Sequence, residues 1–274
     1  MHSVKIRTVQ GVGDIFWVYQ KLAPYVEAID LTILILRHDE VQRRAIGFVK
    51  LLPKVRSVDF EVVSPQAYHQ LAQAVIPLER VVGNGGLYAC NAALEKGVRL
   101  DAMDPGYAPQ WGVPMMVPDE PFLGHGYVAA YVSGNKHDSS WNDETWAQFI
   151  GDAVIAKRFD QLPLVLLGAS YDAARLKRIA ELLQRRLSVR VSVVIDLPPA
   201  DAVRVLRDAV FFIGYQSGLN VLADNYDTPQ VMVYFPYLRA MLNSWCKPGH
   251  AEHGVFRAFT FDQKPAEILA SLSR

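Results

Sequence analysis

Two successive α/β units, each a parallel sheet covered by helices, are the fold the sequence predicts. Three observations predict it. Strand-like and helix-like segments alternate with short connections. The strands read as continuous apolar runs, as expected where both faces of a sheet are covered. Between two such series, residues 101–126 hold five prolines and four glycines and carry few helical or strand signals.

In the first series Val4–Val9 reads as a strand, Gly11-Val12-Gly13-Asp14 as a tight turn and Ile15–Tyr25 as an apolar-faced helix. Leu31–Leu36 is an apolar run bounded by charges, hence a buried strand. Residues 39–51 read as a helix, Val58–Val63 as a strand and 65–74 as a helix. The boundary is expected at the end of the proline-rich stretch, giving units 1–125 and 126–274, with the last helix free to pack back on the first unit. In the second unit the expected strands are Tyr127–Val132, Leu162–Leu167, Val189–Ile195, Val210–Ile213 and Gln230–Tyr234. Helices are expected over 142–158, 171–186, 199–207, Gly218–Asp224 and Lys264–Ser273.

Of 274 residues 51% are hydrophobic, which excludes wholesale disorder, and 28 basic residues balance 28 acidic ones. Bulk charge therefore does not hold this chain to nucleic acid or membrane. The two cysteines, Cys90 and Cys246, sit far apart and show no spacing of a metal or disulfide framework, which points to a reducing compartment. The N-terminus reads as a strand rather than a signal peptide, and the longest apolar run is too short to span a bilayer. A cytoplasmic location is expected.

Four segments carry candidate chemistry. In Gln10-Gly-Val-Gly-Asp14 the glycines allow a sharp turn before a helix. Phe16 stands where a dinucleotide fingerprint needs its third glycine, so a nicotinamide or flavin site is not expected. Asp14 either caps the helix or serves as a general base, ionised at a helix N-terminus. In Phe212–Asp224 an apolar strand runs into a Ser-Gly turn. There Ser217 is either a helix cap, or the N–H groups of Ser217, Gly218 and Leu219 hold a diphosphate. Tyr131–Trp141 ends a strand in a small-residue loop carrying Lys136, either a solvated lysine or a phosphate partner. Leu167-Gly-Ala-Ser170 is a strand end of the kind that lines a base or ribose.

Taken in order, these segments resemble the heptosyltransferases of glycosyltransferase family nine. The resemblance rests on Gly13-Asp14; on Ser133-Gly134, Lys136 and Trp141; on Gly168-Ala169; and on Gln216-Ser217-Gly218-Leu219-Asn220-Val221-Leu222-Ala223. It covers the first 60 residues and most of the second unit. It implies a GT-B-like fold, two Rossmann-like domains facing a cleft, with acceptor bound by the first and nucleotide sugar by the second. It also implies inverting, metal-independent transfer with no cofactor beyond the nucleotide-diphosphate sugar, expected as a UDP-sugar. Asp14 would be the catalytic base. Ser133, Gly134, Lys136, Gly168, Gln216, Ser217, Gly218, Leu219 and Asn220 would bind the donor. Gln216 replaces the family's acidic residue and Val221 its histidine, and Lys136 lies five residues before Trp141 rather than beside it. These departures argue against heptose as the donor sugar.

For the acceptor, residues 37–56 hold six basic side chains against two acidic ones, among them Arg43 and Arg44. The stretch is either a solvated helix face or a polyanion site. Tyr107 and Trp111 lie among prolines, either packed or placed to stack an extruded base. The compact first unit and the segment Asn84-Gly-Gly…Asn91…Leu94-Glu-Lys-Gly resemble virus-encoded relatives that glycosylate hydroxymethylated pyrimidines in phage DNA. On that basis the expected acceptor contacts are Gly13, Arg43, Arg44, Tyr107 and Trp111, and the expected acceptor is 5-hydroxymethylcytosine in DNA. An anionic envelope saccharide is the alternative acceptor, and a non-catalytic nucleotide-sugar binding module the alternative class.

Overall fold

The computed structural model describes residues 2–9, 11–24, 26–36, 46–67, 87–90, 112–133, 141–236, 246–247 and 249–272. The chain divides into two units, Met1–Val117 and Pro118–Arg274, eight residues before the expected position. Packing explains the shift. Val113 and Met115 are buried and Met116 N–H bonds to Leu51 O at 2.7 Å, which ties 113–116 to the first unit. Arg204 and Arg207 bind the carbonyls of Pro118, Asp119, Glu120 and Pro121, which ties those residues to the second.

The first unit contains β1 (His2–Val9), α1 (Val12–Leu22), β2 (Val26–Ile35), β3 (Val55–Val62) and β4 (Leu87–Cys90). All pairings are parallel in the order β3-β2-β1-β4. Strand β2 starts five residues before the apolar run because its polar residues have partners: Asp30 accepts from Ser57 Oγ at 2.7 Å and pairs with Arg56 on β3. The core sets Ile15, Phe16, Tyr19 and Leu22 of α1 with Ile29, Leu31, Ile33, Leu34 and Ile35 of β2. Lys54 is also structural, its ammonium bonded to the carbonyls of Ala23 and Val26.

The second unit contains β5 (Val128–Tyr131), α2 (Asp143–Ala156), β6 (Leu164–Gly168), α3 (Ala173–Arg186), β7 (Val191–Ile195), α4 (Pro199–Asp208), β8 (Phe211–Tyr215), α5 (Gly218–Asn225), β9 (Gln230–Tyr234), β10 (Phe256–Thr260) and α6 (Pro265–Leu272). Its six parallel strands are ordered β10-β9-β8-β5-β6-β7. The core packs Trp146, Phe149 and Ile150 of α2 and Leu176, Ile179 and Leu183 of α3 on Val128, Leu166 and Ile213. The last helix belongs to this core through Ile268 and Leu272. Among the described residues the alternation expected from the sequence is the observed one, and the fold is α/β with parallel sheets; most of the helices expected over 39–51 and 65–74 lies outside the described residues. Strands β4 and β10 were not expected; both are short, and β10 lies at the sheet edge. Among the described residues no helix is long and apolar enough to cross a membrane.

Candidate functional site

In each sheet the chain winds outward one way and then returns to the other side of its first strand. Such a reversal opens a crevice at the carboxyl ends of the two strands concerned, where open α/β sheets bind ligands. In the first unit the reversal lies between β1 and β4. There α1 begins at Val12 with Gly11 as its N-cap, so Gly13 and Asp14 sit inside the first helical turn rather than before it. Gly13 is buried. Asp14 does not occupy the cap position; it is the third helical residue, where the helix dipole favours a carboxylate.

In the second unit the reversal lies between β5 and β8, where Tyr131 pairs with Gly214. Two residues beyond that pair, past the strand ends, stand Ser133 after β5 and Gln216 after β8. Ser133 is 4% exposed, and its hydroxyl has no hydrogen-bond partner among the described residues. A buried hydroxyl in that state costs about 1–3 kcal/mol unless something bonds to it. Opposite, β8 runs into Ser217, whose extended backbone (φ −162°, ψ 167°) places it as N-cap of α5. Helix geometry leaves the N–H groups of Gly218 and Leu219 without an intrahelical acceptor. Gln216 accepts from Phe235 N–H at 2.7 Å through Oε1, so its Nε2 is the end left to meet a ligand.

The turn is supported from beneath. Asn220 is completely buried; its Oδ1 accepts from Ser217 N–H at 3.2 Å and from the Ser217 hydroxyl at 3.4 Å. Its Nδ2 donates to Gln230 Oε1 at 3.0 Å, and Gln230 Nε2 returns to Asn220 O at 2.9 Å. Asn220 was expected to touch the donor; every bond it makes is internal, so it positions the turn instead. Gly214 makes this possible, since a Cβ there would overlap the Asn220 carboxamide. Gly168, also expected at the donor, is required by packing: a Cβ there would collide with Leu176 of α3.

Arg175 links Val132, just after β5, with Trp141, just before α2. It donates to Val132 O at 3.4 Å and Trp141 O at 3.0 Å while its Nε pairs with Asp143 at 2.8 Å. Trp141 is buried against Trp146, Phe149 and Phe261. Gly134, Lys136, Arg43, Arg44, Tyr107 and Trp111 lie outside the described residues. Sequence reasoning missed Gly214, Gln230 and Arg175. A glycine inside an apolar strand was the available signal for the first, since it marks a close approach; the others depend on partners distant in the chain.

Lys247 and His250 lie at the other end of α5 from the Ser217 turn, where Phe256 N–H at the start of β10 bonds to His250 O. Asp224 and Asp227 engage them. His250 Nδ1 lies 2.7 Å from Asp224 and Nε2 3.2 Å from Asp227, while Lys247 N–H donates to Asp224 at 2.6 Å and its ammonium pairs with Asp227. Burial raises the Asp224 carboxyl above its ordinary range, opposed by the bonds from His250 and Lys247. Burial also pushes the nearby Cys246 thiol up to about 12, aided by the negative charges of Asp224 and Glu252. That keeps it an unreactive thiol. Among the described residues no group of three or more His, Cys, Asp and Glu side chains is placed to hold a metal ion.

No family model and no curated protein matches the chain. Solved structures do. E. coli ADP-heptose LPS heptosyltransferase II aligns with TM-score 0.62 at 14% identity, over 98% of this chain and 97% of that one. A glycosyl transferase family 9 protein from Veillonella parvula aligns with TM-score 0.60 at 11% identity, over 99% and 93%. E. coli heptosyltransferase WaaC, solved with ADP, aligns with TM-score 0.58 at 15% identity, over 98% and 99%. At these identities the likeness establishes the shared fold.

Proposed function

We propose that the chain is a glycosyltransferase that moves a sugar, with inversion, from a nucleotide-diphosphate sugar to a hydroxyl acceptor. The second unit's switch point carries the reading. An open helix N-terminus beside a buried, unpartnered Ser133 hydroxyl supplies the donors that an anionic diphosphate requires. The shared fold with heptosyltransferases, one of them solved with ADP, supports the same class. In this reading the acceptor oxygen attacks the anomeric carbon as its bond to the diphosphate breaks. Asp14 takes the acceptor proton. The Gly218 and Leu219 amides, Ser133 and Lys136 receive the charge that develops on the leaving group. Gln216 Nε2 donates to the sugar, where the family's acidic residue would accept.

A saccharide acceptor is favoured, because two of the six basic residues in 37–56 are occupied within the first unit: Lys54 by backbone carbonyls and Arg56 by Asp30. The 5-hydroxymethylated pyrimidine in DNA is the alternative, and rests on Arg43 and Arg44 with Tyr107 and Trp111. The test is mass spectrometry of a lipopolysaccharide core and of hydroxymethylated DNA after incubation with mixed nucleotide sugars. A hexose or heptose mass added to either one identifies the acceptor. Asp14→Ala should lower transfer about a hundredfold or more while keeping nucleotide binding; full transfer by that variant overturns the mechanism. If DNA is the acceptor, Arg43→Glu/Arg44→Glu weakens DNA binding in a salt-dependent way.

A further inference from the structure

One edge of the second unit carries a row of cations. Helices α2 and α3 each return from the end of one strand to the start of the next, so both end where the parallel strands begin. Helix α6 ends there too, because Arg257, the second residue of β10, donates to Ser271 O in the last turn of α6. Helix α2 packs against both α3 and α6. The three ends bring together Lys157 and Arg158 after α2, Arg185 and Arg186 in the last turn of α3, Arg190 just before β7, and Arg257. The carboxylates on these segments are Asp152, which pairs with Arg186, Asp160, and Glu181 one turn above Arg185. Among the described residues Lys157, Arg158, Arg185 and Arg190 have no ion-pair partner, and the three arginines are exposed. Burial, and then the nearby Arg257, lower the Lys157 pKa, so two of these cations lie near enough to repel. Arg158 adds its charge from a left-handed backbone (φ 59°), where a helix usually ends in glycine. The ends of α4 and α5 differ, since Arg207 there is bonded to carbonyls of Pro118–Glu120 and Lys247 to Asp227.

Packed helices lie about 8–10 Å apart, so the row is roughly 20 Å long. Ile155, in the last turn of α2, stands among its cations and is 49% exposed. Zero net charge does not oppose a local attraction, because fields are screened within about 10 Å at ordinary salt. We propose that this edge docks on an anionic lipid surface, its cations among the headgroup phosphates and Ile155 entering the layer beneath them. Lipid is favoured over nucleic acid because a bilayer accepts both the charges and the apolar side chain, whereas a phosphate backbone rewards the charges alone. Ser133 and the Ser217 turn lie at the opposite ends of the strands, so docking leaves them clear of the lipid.

Sedimentation of the full chain with phosphatidylcholine vesicles, with and without about one third phosphatidylglycerol, tests it. The parent should bind the anionic vesicles alone and be released at about 0.5 M salt. Arg185→Glu/Arg190→Glu should weaken that binding by about tenfold or more, with an unchanged circular dichroism spectrum. Arg158→Gly removes one cation while relaxing the backbone, so its expected loss of about fivefold does not come from unfolding. Ile155→Ser should lower vesicle binding about threefold. A parent that stays in solution beside anionic vesicles overturns the proposal, as does full binding by the charge variants. So does duplex DNA binding that falls with the same arginines while Ile155→Ser leaves vesicle binding unchanged, which would assign the row to nucleic acid.

Discussion

The two ends of α5 solve the same problem with different chemistry. At its N-terminus the Ser217 turn is supported by neutral groups, the interlocked carboxamides of Asn220 and Gln230. At its C-terminus the support is charged, with Asp224 and Asp227 facing His250 and Lys247. Carboxamides add no charge of their own against the helix N-terminal field, which suits an anionic ligand. Charged support ties the loop around residues 246–254 to the helix, at the expense of a buried carboxylate with a raised pKa. A turn proposed to receive an anion is here supported by dipoles; a turn that only holds the chain together can use ions.

Asp224 offers the largest perturbation. Asp224→Ala leaves His250 Nδ1 and Lys247 N–H without their acceptor and should cost roughly 3 kcal/mol in urea unfolding. Nucleotide affinity should stay within about twofold of the parent, because the charged end lies at the opposite end of α5; a large loss of affinity would erase the distinction between the two ends. Gly214→Ala comes next, at about 1–3 kcal/mol from overpacking against Asn220. Here pyrophosphate affinity should fall as well, since Asn220 must leave the Ser217 N–H.

A pH series sharpens the contrast. The folded Asp224 carboxyl is raised above its unfolded value of about 3.9, so its contribution to stability is full below that pH and lost as pH rises through the folded pKa. Asp224→Asn should remove that decline just above pH ~4; denaturation curves that still show it would assign the slope elsewhere. The smallest effect is expected at Asp227, the left-handed residue (φ 58°) that ends α5, where Thr228 N–H bonds to Ala223 O and Asp227 N–H to Asp224 O. Asp227→Gly loses exposed ion pairs but relieves the backbone, so unfolding should shift by less than about 1 kcal/mol.

Much of this architecture was legible before any coordinates. Apolar runs and helix-breaking residues act locally, so β6, β7, β9, α3 and α5 lie close to their expected positions. The turn at 217–219 was legible for the same reason, because a Ser-Gly step after a buried strand starts a helix, and Ser217 is its N-cap. Strand β2 was only half visible, since Asp30 looks out of place until Arg56 and Ser57 stand beside it. Lys54 counted toward a basic face until two carbonyls claimed it.

What the sequence determined alone was the alternation of elements among the described residues, the two-unit plan and the turn at Ser217 between strand and helix, because spacing and backbone preference settle these within a few residues. Tertiary structure decided what each polar side chain in that turn is for. Asn220 supports the turn because Gln230 lies across from it, and Gln216 Oε1 is taken by Phe235 N–H. Whether a polar group faces a ligand or a neighbour depends on partners distant along the chain, and only the folded arrangement chooses them.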